Sequence, residues 1–327
     1  TVTGSGTTYN VEVSGMGASG SVVASIGAGV ATDAVGNPNS ASTSTDNTVT
    51  LDLDVPTVSS IARVAGTPTA ATSVTYLVTF SEVVTGVDSS DFVLATTGTA
   101  AGAISGVSDG GSSHIVTVSG ISGDGSIGLN LTDDDSVVDS AGNELGGSGT
   151  GNGNFAGESY TIDQTAPGVT ITSAVSGATN VSPISLTVTF SEPVAEFDIG
   201  DITATGGTLG GFSGAGAGYS VELTPSGDGP LTLDIAAGVA GDPAGNTNTA
   251  APTFAITYDA TAPEISSVLR ASGSPTGETS VDYTVNFSEP VSEIDASDFD
   301  LTVTGTVTGL VTEVSSATGT SVTVTVS

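Results

Sequence analysis

The sequence predicts an all-β chain of tandem sandwich units, and three observations carry that reading. Short runs alternate apolar and polar residues with a period of two, the signature of half-buried strands. Val, Thr, Ser and Gly dominate while strong helix formers are scarce, which is strand and turn chemistry. The same short motifs also return in a fixed order along the 327 residues. No stretch shows helical periodicity.

The repeats define the units. Val78-Thr79-Phe80-Ser81-Glu82 returns as Val188-Thr189-Phe190-Ser191-Glu192 and as Val285-Asn286-Phe287-Ser288-Glu289. Asp33-Ala-Val-Gly36-Asn37 returns as Asp139-Ser-Ala-Gly142-Asn143 and Asp242-Pro-Ala-Gly245-Asn246. Asp163-Gln-Thr-Ala-Pro167 and Asp259-Ala-Thr-Ala-Pro263 mark junctions, with Asp54-Val55-Pro56 as a shorter version. Units of roughly 100 residues follow. Residues 55–163 and 164–259 are expected to be complete, residues 1–54 to hold the second part of a unit, and residues 260–327 the first part of another.

Within a unit the strands follow in order. The first clear one ends on the repeated Phe, as in Val74-Thr-Tyr76-Leu-Val78-Thr-Phe80, Ile184–Phe190 and Val281–Phe287. A later one reads Tyr9-Val11-Val13, His114-Val116-Val118 and Tyr219-Val221-Leu223. The next reads Val22-Ala24-Ile26, Ile127-Leu129-Leu131 and Leu231-Leu233-Ile235, and Thr253–Tyr258 closes the unit. About seven short strands in some 100 residues, separated by Gly, Ser and Asp turns, fit an immunoglobulin-like sandwich. The predicted architecture is a linear array of such domains.

Composition removes whole classes of function. With 35 acidic and 2 basic residues the formal charge is −33. A phosphate-backbone binder needs Lys and Arg contacts, so nucleic acid is excluded as a partner, and an anionic membrane surface is disfavoured. No run is long and apolar enough to insert in a bilayer. The absence of Cys removes disulfides and thiolate chemistry. One His, His114, falls where other units carry Tyr9 and Tyr219, which reads as packing and not as an acid–base group. An enzyme is not expected. Arg63 and Arg270 stand at matching places in two units and are expected to pair with nearby acids.

Phe-Ser-Glu-Pro-Val, then Asp-x-x-Asp, a Gly-rich stretch, Asp-x-Ala-Gly-Asn and Asp-x-Thr-Ala-Pro together resemble bacterial Ig-like domains, the tandem repeats of large secreted adhesins and other surface proteins. The match is best in 164–259. The preceding unit departs from it, with Val83 in place of the Pro and an insertion around Gly146 to Asn154. The resemblance implies display at the bacterial cell surface or outside the cell, and calcium held between or within domains. It implies no particular ligand.

The recurring carboxylates are the candidate chemistry. In an Ig-like topology the chain enters a unit at the end carrying the loop after the Phe-Ser-Glu strand and the Asp-Gly-Asn loop. Asp54, Glu82, Asp139 and Asn143 are expected to gather at one junction, and Asp163, Glu192, Asp242 and Asn246 at the next. Asp259 and Glu289 would begin a third. Carboxylates crowded without Lys or Arg repel one another unless a cation joins them, and Ca2+ takes 6–8 hard oxygen ligands. A second reading stands beside this one: Asp-x-x-Gly-Asn makes a turn without metal. The Asp-x-x-Asp pairs (Asp88 with Asp91, Asp198 with Asp201, Asp295 with Asp298) read as ligands or as capped turns. Asp133-Asp134-Asp135 reads as a local loop.

Three functions follow. The first is a calcium-stiffened extender or stalk of a cell-surface adhesin, its partners being neighbouring repeats of the same chain and a distal ligand the sequence does not reveal. The second is a subunit of a self-assembling extracellular fibre, sheath or surface layer, with like chains as partners. A carbohydrate-binding module is the third, and the absence of Trp counts against it.

Overall fold

A computed structural model describes residues 1–108 and 110–327, and it is built almost wholly of antiparallel strands. Among the described residues the only helical segments are the 3-10 turns Ser89–Asp91, Ile199–Asp201 and Ala296–Asp298.

In the second unit, strands Val58–Arg63, Ser73–Phe80, Ser113–Ser122 and Ala101–Val107 form one sheet in that spatial order. Strands Phe155–Ile162, Gly125–Leu131 and Phe92–Gly98 form another. The period-two pattern decides which side chains meet: Val74, Tyr76, Val78 and Phe80 are buried, as are Ile127, Leu129 and Leu131 of the other sheet. They share one apolar cluster. Each such fully buried side chain stabilises the fold by ~1.5–3 kcal/mol. Tyr76 and Tyr160 meet edge to face at the centre, with ring centroids 5.3 Å apart.

The third unit repeats the plan. Strands Val169–Ser173, Ile184–Val194 and Gly207–Pro225 form one sheet, and Ala178–Thr179, Phe254–Tyr258, Gly229–Ile235 and Ile202–Thr205 form the other. Its apolar cluster runs from Val169 to Ile256, and a smaller one lies between Val285 and Val324. Residues 299–302, the counterpart of Ile202–Thr205, form no strand. No described residue supplies the counterpart of Gly229–Ile235 with which they would pair.

Residues 1–54 pair as Val2–Ser5 with Thr8–Val11 and Gly20–Val23 with Thr48–Leu51, yet none of them is buried. The alternation Tyr9-Val11-Val13 predicts a half-buried strand, but these side chains are exposed. Their equivalents Tyr219 and Val221 are covered by Ile184–Val194 and its neighbours, and residues 1–54 contain no counterpart of those strands.

Three local expectations resolve here. His114 is 3% exposed and packs edge to face on Phe80, as Tyr219 packs on Phe190, so it does fill a tyrosine's place. Arg63 pairs with Glu158 at 3.3 Å and lies over the Tyr160 ring. Arg270 makes no ion pair among the described residues, contrary to the sequence expectation, because no carboxylate oxygen lies within reach of its guanidinium. Asp133 anchors the insertion: Gly151 N–H donates to its carbonyl, and Gly153 N–H to its Oδ2 at 3.1 Å. The triple-Asp run is a local loop.

Candidate metal centre

Each junction is assembled from three pieces of chain, and the repeated motifs supply the hydrogen bonds that assemble it. The Ser of Phe-Ser-Glu fixes the incoming strand. Ser81 Oγ accepts the Thr57 N–H and Ser81 N–H donates to the Thr57 carbonyl; Ser191 does the same with Gly168, and Ser288 with Glu264. The Glu that follows is thereby held beside the linker.

The Asp-x-x-Gly-Asn loop closes on itself. Asp139 Oδ1 accepts the N–H groups of Ala141 and Asn143 at 2.8 and 2.9 Å, and Asp139 Oδ2 accepts from Asn143 Nδ2 at 2.8 Å. Asp242 binds Gly245 and Asn246 in the same way. The Gly takes a positive φ, 91° at Gly142 and 97° at Gly245, which a side chain would disfavour. The Asn then reaches outward. Asn143 Nδ2 donates to the carbonyls of Asp52 and Asp54 at 3.2 and 3.0 Å, and Asn246 Nδ2 donates to the carbonyl of Asp163 at 2.9 Å.

These bonds bring carboxylates together twice. Oxygens of Asp52, Glu82 and Asp139 lie within 4.8 Å of one another, and so do those of Asp163, Glu192 and Asp242. In each group the loop Asp is buried and the other two are half-buried. Burial, then the charges of Asp139, Asp52 and Asp54, pushes the Glu82 carboxyl above the usual glutamate range. Burial, then Asp163, Asp242 and Asp124, does the same to Glu192. Burial also works to raise Asp139, but the bonds from Asn143, Ala141 and Gly142 outweigh it and hold that carboxyl low. At the first junction the loop Asp is thus held low while the Glu beside it is pushed up.

Of the residues the sequence singled out, Glu82, Asp139, Asp163, Glu192 and Asp242 fall in these groups. Asn143 and Asn246 bind them to the linkers. Asp54 differs: its carboxylate is outside the first group, and Asp52 occupies that place. The signal was present, since Asp52, Asp163 and Asp259 each stand four residues before a Pro (Pro56, Pro167, Pro263). Asp259 and Glu289 join no group of three among the described residues. Asp259 Oδ1 instead accepts the Thr261 N–H at 3.2 Å.

The turn chemistry is also real. Asp33 makes the same bonds to Val35 and Asn37 on an exposed loop with no Glu beside it, and the Asn37 side chain foremost holds its carboxyl low. The same turn bonds thus recur in a loop that lacks the junction carboxylates. What the junctions add is the Glu and the linker Asp. The Asp-x-x-Asp pairs are caps: Asp88, Asp198 and Asp295 accept N–H bonds at the start of the 3-10 turns, and Asp91, Asp201 and Asp298 bond back to the cap N–H.

The three carboxylates stand on an all-β, immunoglobulin-like frame, a fold that is typically non-catalytic. Residues 163–258 match the family model described as a bacterial Ig-like domain. No curated protein matches the chain. No helix among the described residues is long and apolar enough to cross a membrane.

Proposed function

We propose that this chain is an extender segment of a bacterial surface adhesin, with calcium bound at the junctions between its Ig-like units. Residues 55–163 and 164–259 act as whole domains in that array, each spanning roughly 40 Å if its strands run along the stalk at ~3.3 Å per residue. The observation that carries the reading is the recurrence of one carboxylate trio, linker Asp, strand-end Glu and loop Asp, at two successive junctions.

The donor set fits the ion. Calcium–oxygen distances of about 2.3–2.6 Å place opposed ligands up to roughly 5 Å apart, and calcium accepts carboxylates, amide oxygens and water together. Asp52, Glu82, Asp139 and Asp163, Glu192, Asp242 would hold it, with Asn143 and Asn246 keeping the linkers in place. Binding only to the folded, aligned junction stabilises it by ~2.7 kcal/mol at 100 times the dissociation constant. Outside the cell, where calcium is abundant, the junctions would be loaded.

Thermal unfolding of the whole chain in EDTA and in calcium tests this. The melt is expected to move up with calcium in the wild type and to lose that response in E82Q/E192Q. Superimposable wild-type curves would overturn the calcium mechanism while leaving the extender role standing.

A further inference from the structure

The linker is gripped from its other side as well, by the preceding unit. Asp124 sits at the turn between strands Ser113–Ser122 and Gly125–Leu131. Its Oδ1 accepts the Gln164 N–H at 2.6 Å and its Oδ2 accepts the Thr165 hydroxyl at 2.6 Å. Asp228 holds the matching turn of the third unit; its Oδ1 accepts the Ala260 N–H at 2.8 Å and its Oδ2 accepts the Thr261 hydroxyl. These bonds hold both carboxyls below the usual aspartate range, the Gln164 N–H foremost for Asp124 and the Thr261 hydroxyl foremost for Asp228.

The first junction carries the backbone half of this clasp, made by different residues. Ser19 stands where the other units have Asp124 and Asp228, and Asp54 stands where they have Thr165 and Thr261. Ser19 Oγ accepts the Leu53 N–H at 3.0 Å. The two exchanges belong together, because an Asp at the turn would set its carboxylate against that of Asp54. Like charges in contact are destabilising.

Successive linker residues are thus held by different units. The following unit takes the carbonyl of Asp52 or Asp163 through Asn143 or Asn246. The preceding unit takes the N–H of the very next residue, Leu53 or Gln164, through Ser19 or Asp124. Between the second and third units a direct bond adds to this, from the Ala70 N–H to the Ala244 carbonyl of the Asp-Pro-Ala-Gly-Asn loop, at 3.0 Å.

We propose that Ser19, Asp124 and Asp228 are positioning residues of a metal-independent clasp, which sets the angle between successive units and presents the linker Asp to its neighbours before any cation binds. The clasp uses no ligand and stands or falls apart from the calcium reading.

The test is run on the whole chain in EDTA, so that calcium plays no part. In D124A/D228A, hydrogen exchange at the Gln164 and Ala260 amides is expected to quicken about tenfold or more, as a charge-assisted bond is lost. Small-angle scattering is expected to show a broader spread of chain dimensions at an unchanged unfolding midpoint. D124S/T165D, which copies the first junction, is expected to return Gln164 exchange to near the wild-type rate, whereas T165D alone is expected to loosen the second junction. Unchanged exchange in D124A/D228A would overturn the proposal. So would loosening that appears only with a lowered midpoint and that D124S/T165D does not repair.

Discussion

Single residues already show how the units differ. The Tyr160 hydroxyl donates to the Thr75 carbonyl at 2.9 Å and accepts the N–H groups of Val64 and Ala65 at 3.0 and 2.9 Å. It ties three segments with one oxygen. Tyr160→Phe leaves those groups unpartnered and is expected to cost about 1–3 kcal/mol in chemical denaturation. Tyr76, buried beside it, has its hydroxyl pushed up to about 12, by burial above all. Glu196 and Glu293 adopt φ of 66° and 65°, where the second unit has Gly86 at 89°. A left-handed Glu is strained, so Glu196→Gly is expected to raise stability by ~0.5–1 kcal/mol. Gly86 has no such freedom to change: an added Cβ would lie 2.3 Å from the Ser136 carbonyl oxygen. The role of His114 was readable from its register with Tyr219. That Arg270 makes no ion pair among the described residues was not, because pairing depends on which acids the fold brings near.

At the scale of elements, the repeated motifs are joints and not decoration. The Ser of Phe-Ser-Glu locks two strands, the Asp-Gly-Asn loop locks itself, and its Asn locks the linker. Asn246→Ala removes donors to Asp163 and Asp242 together. It is expected to cost about 1 kcal/mol and to weaken calcium binding at that junction alone, as denaturation and a calcium titration would show. The strands and the junction acids were legible because alternation and spacing are local properties. The choice between Asp52 and Asp54 was harder. Both precede Pro56, and the spacing shared with Asp163 and Asp259, four residues before a Pro, singles out Asp52 once the linkers are aligned. The clasp left a weaker trace still, a Ser and an Asp exchanged between units, which acquires meaning only when the turn and the linker are seen in contact.

Across the whole molecule, the charge of −33 has a local structure. Glu82 and Glu192 are raised in the folded state, so below their folded values the fold binds more protons than the unfolded chain does. Stability in EDTA is therefore expected to rise as the pH falls from neutral towards the ordinary glutamate value of about 4.3. Below that, Asp33, Asp88, Asp124, Asp139, Asp228 and Asp295, all held low by hydrogen bonds that outweigh burial, become protonated, and the stability their bonds supply is lost. Calcium is expected to cancel the first trend, since the ion replaces the proton at the Glu. Melting curves from pH 7 to 4 with and without calcium check both limbs. The central claim is met most directly by equilibrium dialysis of the chain against radioactive calcium. Two ions per chain are expected, one in E192Q and none in E82Q/E192Q. A wild-type chain that retains no calcium, or a count the two substitutions leave unchanged, would contradict it.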